Sequence, residues 1–317
     1  MARETVIKDP TFRTYTPAQA TFYALARASS YPPFLYNTIL THHSNTGGQF
    51  HRLLDVGCGP GNATRDLAPS FEDAVGVDPG QAMIETARAL SKDVRTGAGS
   101  EMRFVVGAAE ECAAVIDEAS GGEETVDLVV CAMSAHWFSM RGFWEQMRTT
   151  VKKGGTVAIW TCASLYCHPT TPNATAVQRA LFHLEDVVLA PFALPENRLS
   201  RNLYDNPPLP WSVIPPVEGF SESQFTRLAW NRDGAVADGE DFLVGKPQTL
   251  EELERSLGSA SMVTRWREAN PDLAETDKDC VKIAMDEVGK ALEDGGCDAS
   301  QILRTGAAVA LLLIKKD

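Results

Sequence analysis

The sequence predicts an α/β protein: a doubly wound, mostly parallel sheet of seven strands under a helical, proline-rich cap. Three features point there. Short apolar runs alternate with amphipathic segments between residues 53 and 160, as βαβ units require. The first run ends in Gly57-Cys58-Gly59-Pro60-Gly61, a turn rich in the one residue that adopts positive φ freely. Prolines then crowd into 163–222, including Pro207-Pro208, Pro210 and Pro215-Pro216, where regular alternation cannot continue.

Each element has its own justification. Residues 15–30 are alanine-rich with aromatic punctuation and read as helix, and Pro32-Pro33 opens a second helix through residue 40. Asn45 and Gly47-Gly48 mark the loop that follows. Strands are expected at 53–56, 74–77, 102–106, 126–132 and 156–160, with helices at 62–67, 81–90 and 143–150 between them. Residues 173–189 read as helix and 225–230 as strand. Thr249 followed three residues later by Glu252 has capping-box spacing, so a helix starts there. Residues 277–294 form another helix, and 307–314 the last strand. The organisation expected is a helical arm over 1–50, an α/β core over 51–162, a cap insertion over 163–222, and completion of the sheet over 223–317.

Composition narrows the classes. The chain has 317 residues, 44% hydrophobic and 22% charged, ordinary for a globular protein with a sizeable core. Its formal charge of −13 argues against bulk nucleic-acid binding and against attraction to anionic membranes, both driven by Lys and Arg. Residues 1–10 carry charges of both signs and no apolar run, unlike a signal peptide. The apolar run 307–314 is too short to span a bilayer. Seven cysteines without a C-x-x-C pair read as reduced thiols of a cytoplasmic protein. Cys162, Cys167 and His168 lack zinc-site spacing, so no metal is expected.

Leu53-Leu54-Asp55-Val56-Gly57-Cys58-Gly59-Pro60-Gly61 carries the functional signal. A strand runs straight into Gly57, Gly59 and Gly61, and the next helix aims its N-terminus at whatever the loop holds. The G-x-G-x-G spacing lacks the third glycine of a dinucleotide fingerprint, where Asn62 stands. Asp55 would repel a pyrophosphate but suits a cationic amino-acid ligand, which favours S-adenosylmethionine over NAD. Asp78 closes the second strand, where a carboxylate accepts hydrogen bonds from ribose hydroxyls; the plainer role is a helix cap before Gln81. Met83 either packs on adenine or belongs to helix core.

These segments resemble the class I S-adenosylmethionine-dependent methyltransferases, a Rossmann-like family, over about half the chain. Within that family the chain is similar to the fungal trans-aconitate methyltransferase group. The shared features are Ser134-Ala135-His136-Trp137-Phe138, residues 154–160, Arg198-x-x-Arg201-Asn202, and Tyr23…Arg27…Tyr31-Pro32. The resemblance implies S-adenosylmethionine as cofactor, S-adenosylhomocysteine as product, and a small-molecule substrate. It also implies that Ala109 and Glu110 line the adenine, although Ala108 and Ala109 stand where many relatives carry Asp. Cys131, Ala132 and Met133 would run beneath the methionine moiety, and Tyr23 and Arg27 would close over its carboxylate.

Methyl transfer from a sulfonium is an in-line displacement, so the protein mainly aligns the reactants and excludes water. His136, just past the fourth strand, is the catalytic candidate, as base for a hydroxyl or donor to a carboxylate; its plainer role is fixing the loop. Arg198 and Arg201 share a helical face and suit a carboxylate, and Trp137 suits a pocket wall. Trp160, Trp211 and Trp230 are further candidates to enclose the substrate, with core packing the alternative. The expected activity is O-methylation of a small carboxylic acid. The alternatives are a hydroxyl or amine of a secondary metabolite, a nicotinamide-dependent oxidoreductase, or a methyltransferase-like binding protein without turnover.

Overall fold

The computed structural model describes residues 11–27, 31–120, 125–296 and 302–317. The polar start at 1–10, the end of the helix expected over 15–30, and Cys297 lie outside the described residues. Helix α1 (Pro17–Ala26) begins behind a capping box in which Thr16 and Gln19 satisfy each other's backbone N–H groups. Helix α2 (Pro33–Asn45) begins on the proline whose fixed φ favours a first turn. The α/β alternation follows as β1 (Arg52–Val56), α3 (Asn62–Leu67), β2 (Asp73–Asp78), α4 (Gln81–Leu90), β3 (Arg103–Val106), α5 (Cys112–Ser120), β4 (Val126–Ala132), α6 (Met140–Thr150) and β5 (Val151–Cys167). The remainder adds α7 (Ala174–His183), α8 (Pro195–Arg201), β6 (Phe220–Trp230), β7 (Val244–Gln248), α9 (Leu250–Gly258), α10 (Ser261–Ala269), α11 (Cys280–Asp294) and β8 (Leu303–Lys316).

The strands form one sheet in the order β3-β2-β1-β4-β5-β8-β6, with β7 also pairing β8. The pairs among β1 to β5 are parallel, and β8 runs antiparallel to β5, β6 and β7. The chain winds outward from β1 through β2 to β3, then returns to β1's other side as β4. That reversal leaves a crevice between the carboxyl ends of β1 and β4, where ligands of open α/β sheets bind. The sheet has eight strands, not the seven expected, because β7 carries Gly245 and Pro247 and shows no apolar alternation.

Strand alternation sends neighbouring residues to opposite faces. Leu54 and Val56 join Val75, Val77, Phe143, Trp144 and Met147 in one core layer, against α5 and α6. Leu53 turns to the other face, with Leu35, Ile39, Leu67, Leu128 and Trp160, under α2 and α3. A third cluster holds the cap: Val177, Leu181, Leu253, Val263, Trp266, Val281, Met285, Val288 and Leu292. The helices over the sheet's carboxyl edge therefore come from two separate stretches, α7 and α9 to α11, rather than from residues 163–222 alone. Asp279 ties the second stretch together. It caps α11 by accepting from Val281 N–H at 2.9 Å and holds Arg267 Nε at 2.7 Å.

Trp144 links the proline-rich stretch to the core, being fully buried while its Nε1–H donates to the Pro208 carbonyl at 2.8 Å. Replacing a buried aromatic by alanine costs about 3–5 kcal/mol in lost transfer energy and residual cavity. Trp144→Ala should therefore lower the unfolding free energy by an amount in that range, read as a lower urea midpoint. An unchanged midpoint would show that this layer is not part of the cooperative core.

Candidate active site

The crevice opens into a cavity of about 940 Å³, with one wall from the β1, β2 and β4 loops and the other from the cap. The glycine loop shapes the first wall. Gly57 has φ +69°, and a Cβ there would stand 2.5 Å from Ser134 Cβ, so only glycine lets the loops after β1 and β4 touch. Ser134 reinforces that contact by donating to the Val56 carbonyl at 2.8 Å. Gly59 has φ +53°, and a Cβ there would meet nothing within 4 Å; it would project into open space beside the loop.

Asp78 clamps the wall. Its Oδ2 accepts the Gly59 N–H at 3.0 Å and its Oδ1 the Gly80 N–H at 2.8 Å. Burial pushes its carboxyl up to about 6, opposed by those two hydrogen bonds and by Arg13. Each oxygen keeps a lone pair for a further donor. Met83 and Ala109 are buried beside it and also line the cavity. Glu110 lines it too, with Oε1 accepting the Ser139 N–H at 2.6 Å.

Three residues expected at the site stand behind it. Asp55 does not line the cavity. Two residues after Leu53 it shares that strand face, so it points at α3 and accepts from Thr64 Oγ1 at 2.6 Å. It is fully buried, and burial pushes its carboxyl up to about 7. Its second oxygen has no partner among the described residues. Gly61 is the N-cap of α3 at φ +83°, where a Cβ would stand 2.9 Å from the Phe104 ring, and it serves the turn rather than the ligand wall. Cys131 is fully buried in the layer of Val129 and Phe143. Its neighbour Ala132 lines the cavity with Met133.

The N-terminal segment forms one edge of the cavity. Phe12, Arg13, Tyr23 and Arg27 line the cavity. The Phe12 ring meets Tyr23 at 5.6 Å and Trp137 at 5.8 Å, both edge-on, which joins the arm to the β4 loop. Arg27 Nε donates to Ser259 Oγ at 2.9 Å, and its carbonyl accepts from Asn62 Nδ2 at 2.6 Å. Trp160, Trp211 and Trp230 do not enclose the cavity. Trp160 is fully buried under α2, Trp211 packs on Phe225, and Trp230 packs on Phe34.

His136 and Trp137 lie on the cavity wall. His136 Nδ1 sits 2.7 Å from Tyr204 Oη, whereas Nε2 has no partner among the described residues. Burial drives the imidazole down to about 3, so the ring is neutral near pH ~7. Arg198 and Arg201 reach the same cavity from α8. Arg201 is already committed: Nε lies 3.1 Å from Ser164 Oγ and 3.3 Å from Glu185 Oε1, and Nη2 pairs with Asp186. Glu185 and Asp186 sit in a π-helical turn, Leu184–Val188, that continues α7. Arg198 is exposed and shows no ion pair among the described residues. His168 is no metal ligand as it stands, with Nδ1 on Thr170 and Nε2 on the Glu240 carbonyl.

Sequence reasoning missed the far wall, where Leu243–Gln248 and Ser256–Val263 face the glycine loop. The capping box at Thr249 revealed the helix but not where it packs. It also missed Phe12 and Arg13, which carry no motif, and the commitment of Arg201 to Glu185 and Asp186.

Residues 54–159 match the sequence family described as a methyltransferase domain. A Saccharomyces cerevisiae protein named as an S-adenosylmethionine-dependent methyltransferase is 30% identical over 131 residues, 41% of this chain and 41% of that one. A Dictyostelium discoideum protein named as a methyltransferase is 33% identical over 107 residues, 34% of this chain and 35% of that one. The aligned part thus spans less than half the length of these relatives. A structure named as a type II methyltransferase from Anaeromyxobacter dehalogenans superposes with a TM-score of 0.59 at 21% identity, covering 90% of this chain and 97% of that one. Residues 54–159 thus match a methyltransferase domain, and the strand order and the superposition give the chain a Rossmann-like, doubly wound fold.

Proposed function

We propose that the whole chain is a methyltransferase for a small molecule and that its acceptor is a carboxylic acid, converted to a methyl ester. The observation that carries the proposal is the state of the groups lining the cavity. A hydroxyl or protonated amine needs a base, and the imidazole, carboxylate and thiol candidates on the wall are weak or occupied. His136 is neutral with a strongly lowered proton affinity. Glu185 and Asp186 are tied to Arg201, Glu110 to Ser139, and Asp78 to the two glycine N–H groups. Glu252 is held in its own capping box by Thr249. Cys162 is pushed up to about 12 by burial. A carboxylate arrives already ionised and needs none of them. Arg198, on the cavity wall with no ion pair among the described residues, is a cation that can meet it.

The residues of the wall fit the cofactor. The open space at Gly59 admits a ligand against the backbone, and the spare lone pairs of Asp78 suit two ribose hydroxyls. Met83 and Ala109 supply an apolar bed for a purine. When bound, the cofactor supplies an electrophilic methyl group on sulfur. The chain's own task is then to hold the acceptor oxygen in line and keep water out, with Phe12, Tyr23 and Trp137 closing one side. The nicotinamide alternative has no support in the methyltransferase family match.

Asp78 makes cofactor affinity depend on pH. Ribose donors favour its ionised form, so its carboxyl, held near 6 in the free protein, should fall on binding. Calorimetric affinity for S-adenosylmethionine should be full above pH ~6 and weaken about tenfold per unit below it, with proton release near that pH. Asp78→Asn should weaken binding at pH ~7 and flatten the profile. An identical pH slope in the variant would remove Asp78 from the cofactor site.

The acceptor class is tested by methyl transfer to di- and tricarboxylic acids, scored as base-labile product. Arg198→Ala should raise KM for a carboxylate acceptor about tenfold or more while leaving cofactor affinity unchanged, the size expected for a lost charged hydrogen bond. Turnover of phenols or amines but of no acid would replace the carboxylate reading with the hydroxyl or amine one.

A further inference from the structure

Tyr204 lies just beyond α8 and was not marked by any motif. Leu203 and Tyr204 have φ values of 55° and 50°, two consecutive non-glycine residues in the left-handed region. Such backbone is strained and persists only where surrounding packing over-determines it. Here the Tyr204 ring is held in the core layer of Ala135, Met140 and Leu209, and almost none of it is exposed. Its hydroxyl ends beneath the β4 loop. It accepts the His136 backbone N–H at 3.3 Å, lies 2.7 Å from His136 Nδ1, and hydrogen-bonds the Thr161 side chain. Thr161 Oγ1 continues to Ser200 Oγ at 2.6 Å.

The proton count in this network favours one tautomer. Tyr204 Oη has one proton. The backbone N–H of His136 can only donate, and it already points at that oxygen. A proton on Nδ1 would aim a second N–H at the same atom from the same residue. A proton on Oη aimed at Nδ1 relieves this, with the His136 N–H and the Thr161 hydroxyl on the two lone pairs of the oxygen. Burial keeps the phenol protonated. The imidazole proton is left on Nε2, the ring nitrogen with no partner on a residue that lines the cavity.

We propose that Tyr204 is a positioning residue that locks His136 as the Nε2–H tautomer, making it a hydrogen-bond donor to a substrate oxygen rather than a base. The proposal rests on the methyltransferase reading and deepens it. A fixed donor at that atom favours an acceptor with a free oxygen lone pair, as a carboxylate has, over a hydroxyl that must lose its proton. No proton moves at His136 during transfer: the acceptor oxygen forms the new bond to carbon, the carbon–sulfur bond breaks, and the electron pair stays on sulfur.

The test is the nitrogen spectrum of ¹⁵N-histidine-labelled full-length protein, with the His136 signals assigned by their loss in His136→Ala. In the wild type near pH ~7, Nδ1 should be pyridine-like and Nε2 pyrrole-like. In Tyr204→Phe, which keeps the ring and loses the hydroxyl, the two signals should average toward a tautomer mixture. Turnover on a carboxylate acceptor should then drop about tenfold in kcat with cofactor Kd unchanged, the effect of one hydrogen bond. A wild-type spectrum with the proton on Nδ1 overturns the proposal and needs no variant to fold. An unaltered tautomer in Tyr204→Phe overturns it as well. Failure of the carboxylate reading would register separately, as wild-type protein that forms no ester, and would leave the tautomer spectrum unaffected.

Discussion

The two carboxylate oxygens of Asp78 accept one N–H each from Gly59 and Gly80, and so clamp together the loops that follow β1 and β2. The clamp works only because the glycine loop can reach it. Gly57 turns the chain at a positive φ and lets Ser134 approach, which draws the β4 loop into the same contact. Three loops at the carboxyl edge are thereby fixed by one buried acid and one residue without a side chain. The cost is an acid held away from water, visible in its raised affinity for a proton. A ligand that brings hydroxyl donors relieves that cost, so the same group that organises the wall rewards occupancy of it.

The second wall follows another logic. The cap contributes charges that are already balanced: Arg201 against Glu185 and Asp186, Arg267 against Asp279. The first set holds α8 against the turn that continues α7, and the second joins α10 to α11. Among the groups left on the cavity wall are Arg198, the Nε2 side of His136, and the lone pairs of Asp78. In the function proposed above, a site so furnished orients an anion and an alkyl donor.

Much of this was legible in the sequence, for local reasons. The glycine turn, Asp78 at the end of β2 and the alternation of β1 to β5 are written in contiguous residues, and the helices 62–67 and 81–90 occur with those bounds. What was not legible depends on distant pairing. Asp55 reads as a ligand group until the pleat turns it toward Thr64. Arg201 reads as a free cation until the π-helical turn brings up Glu185 and Asp186. β7 escapes because its pairing with β8, not its own composition, makes it a strand. Tyr204 matters through a ring buried 68 positions from its partner His136 in the chain, and no spacing rule reaches that far.

The central claim is that the clamp on Asp78 forms the ribose end of a cofactor site whose other end meets His136 and Arg198. A crystal structure with S-adenosylhomocysteine bound tests it most directly. The account predicts both ribose hydroxyls on the Asp78 carboxylate, the purine beside Met83 and Ala109, and the sulfur on the side of the cavity that His136 lines. A nucleoside bound elsewhere, or one that leaves Asp78 holding only its two glycine N–H groups, would contradict it.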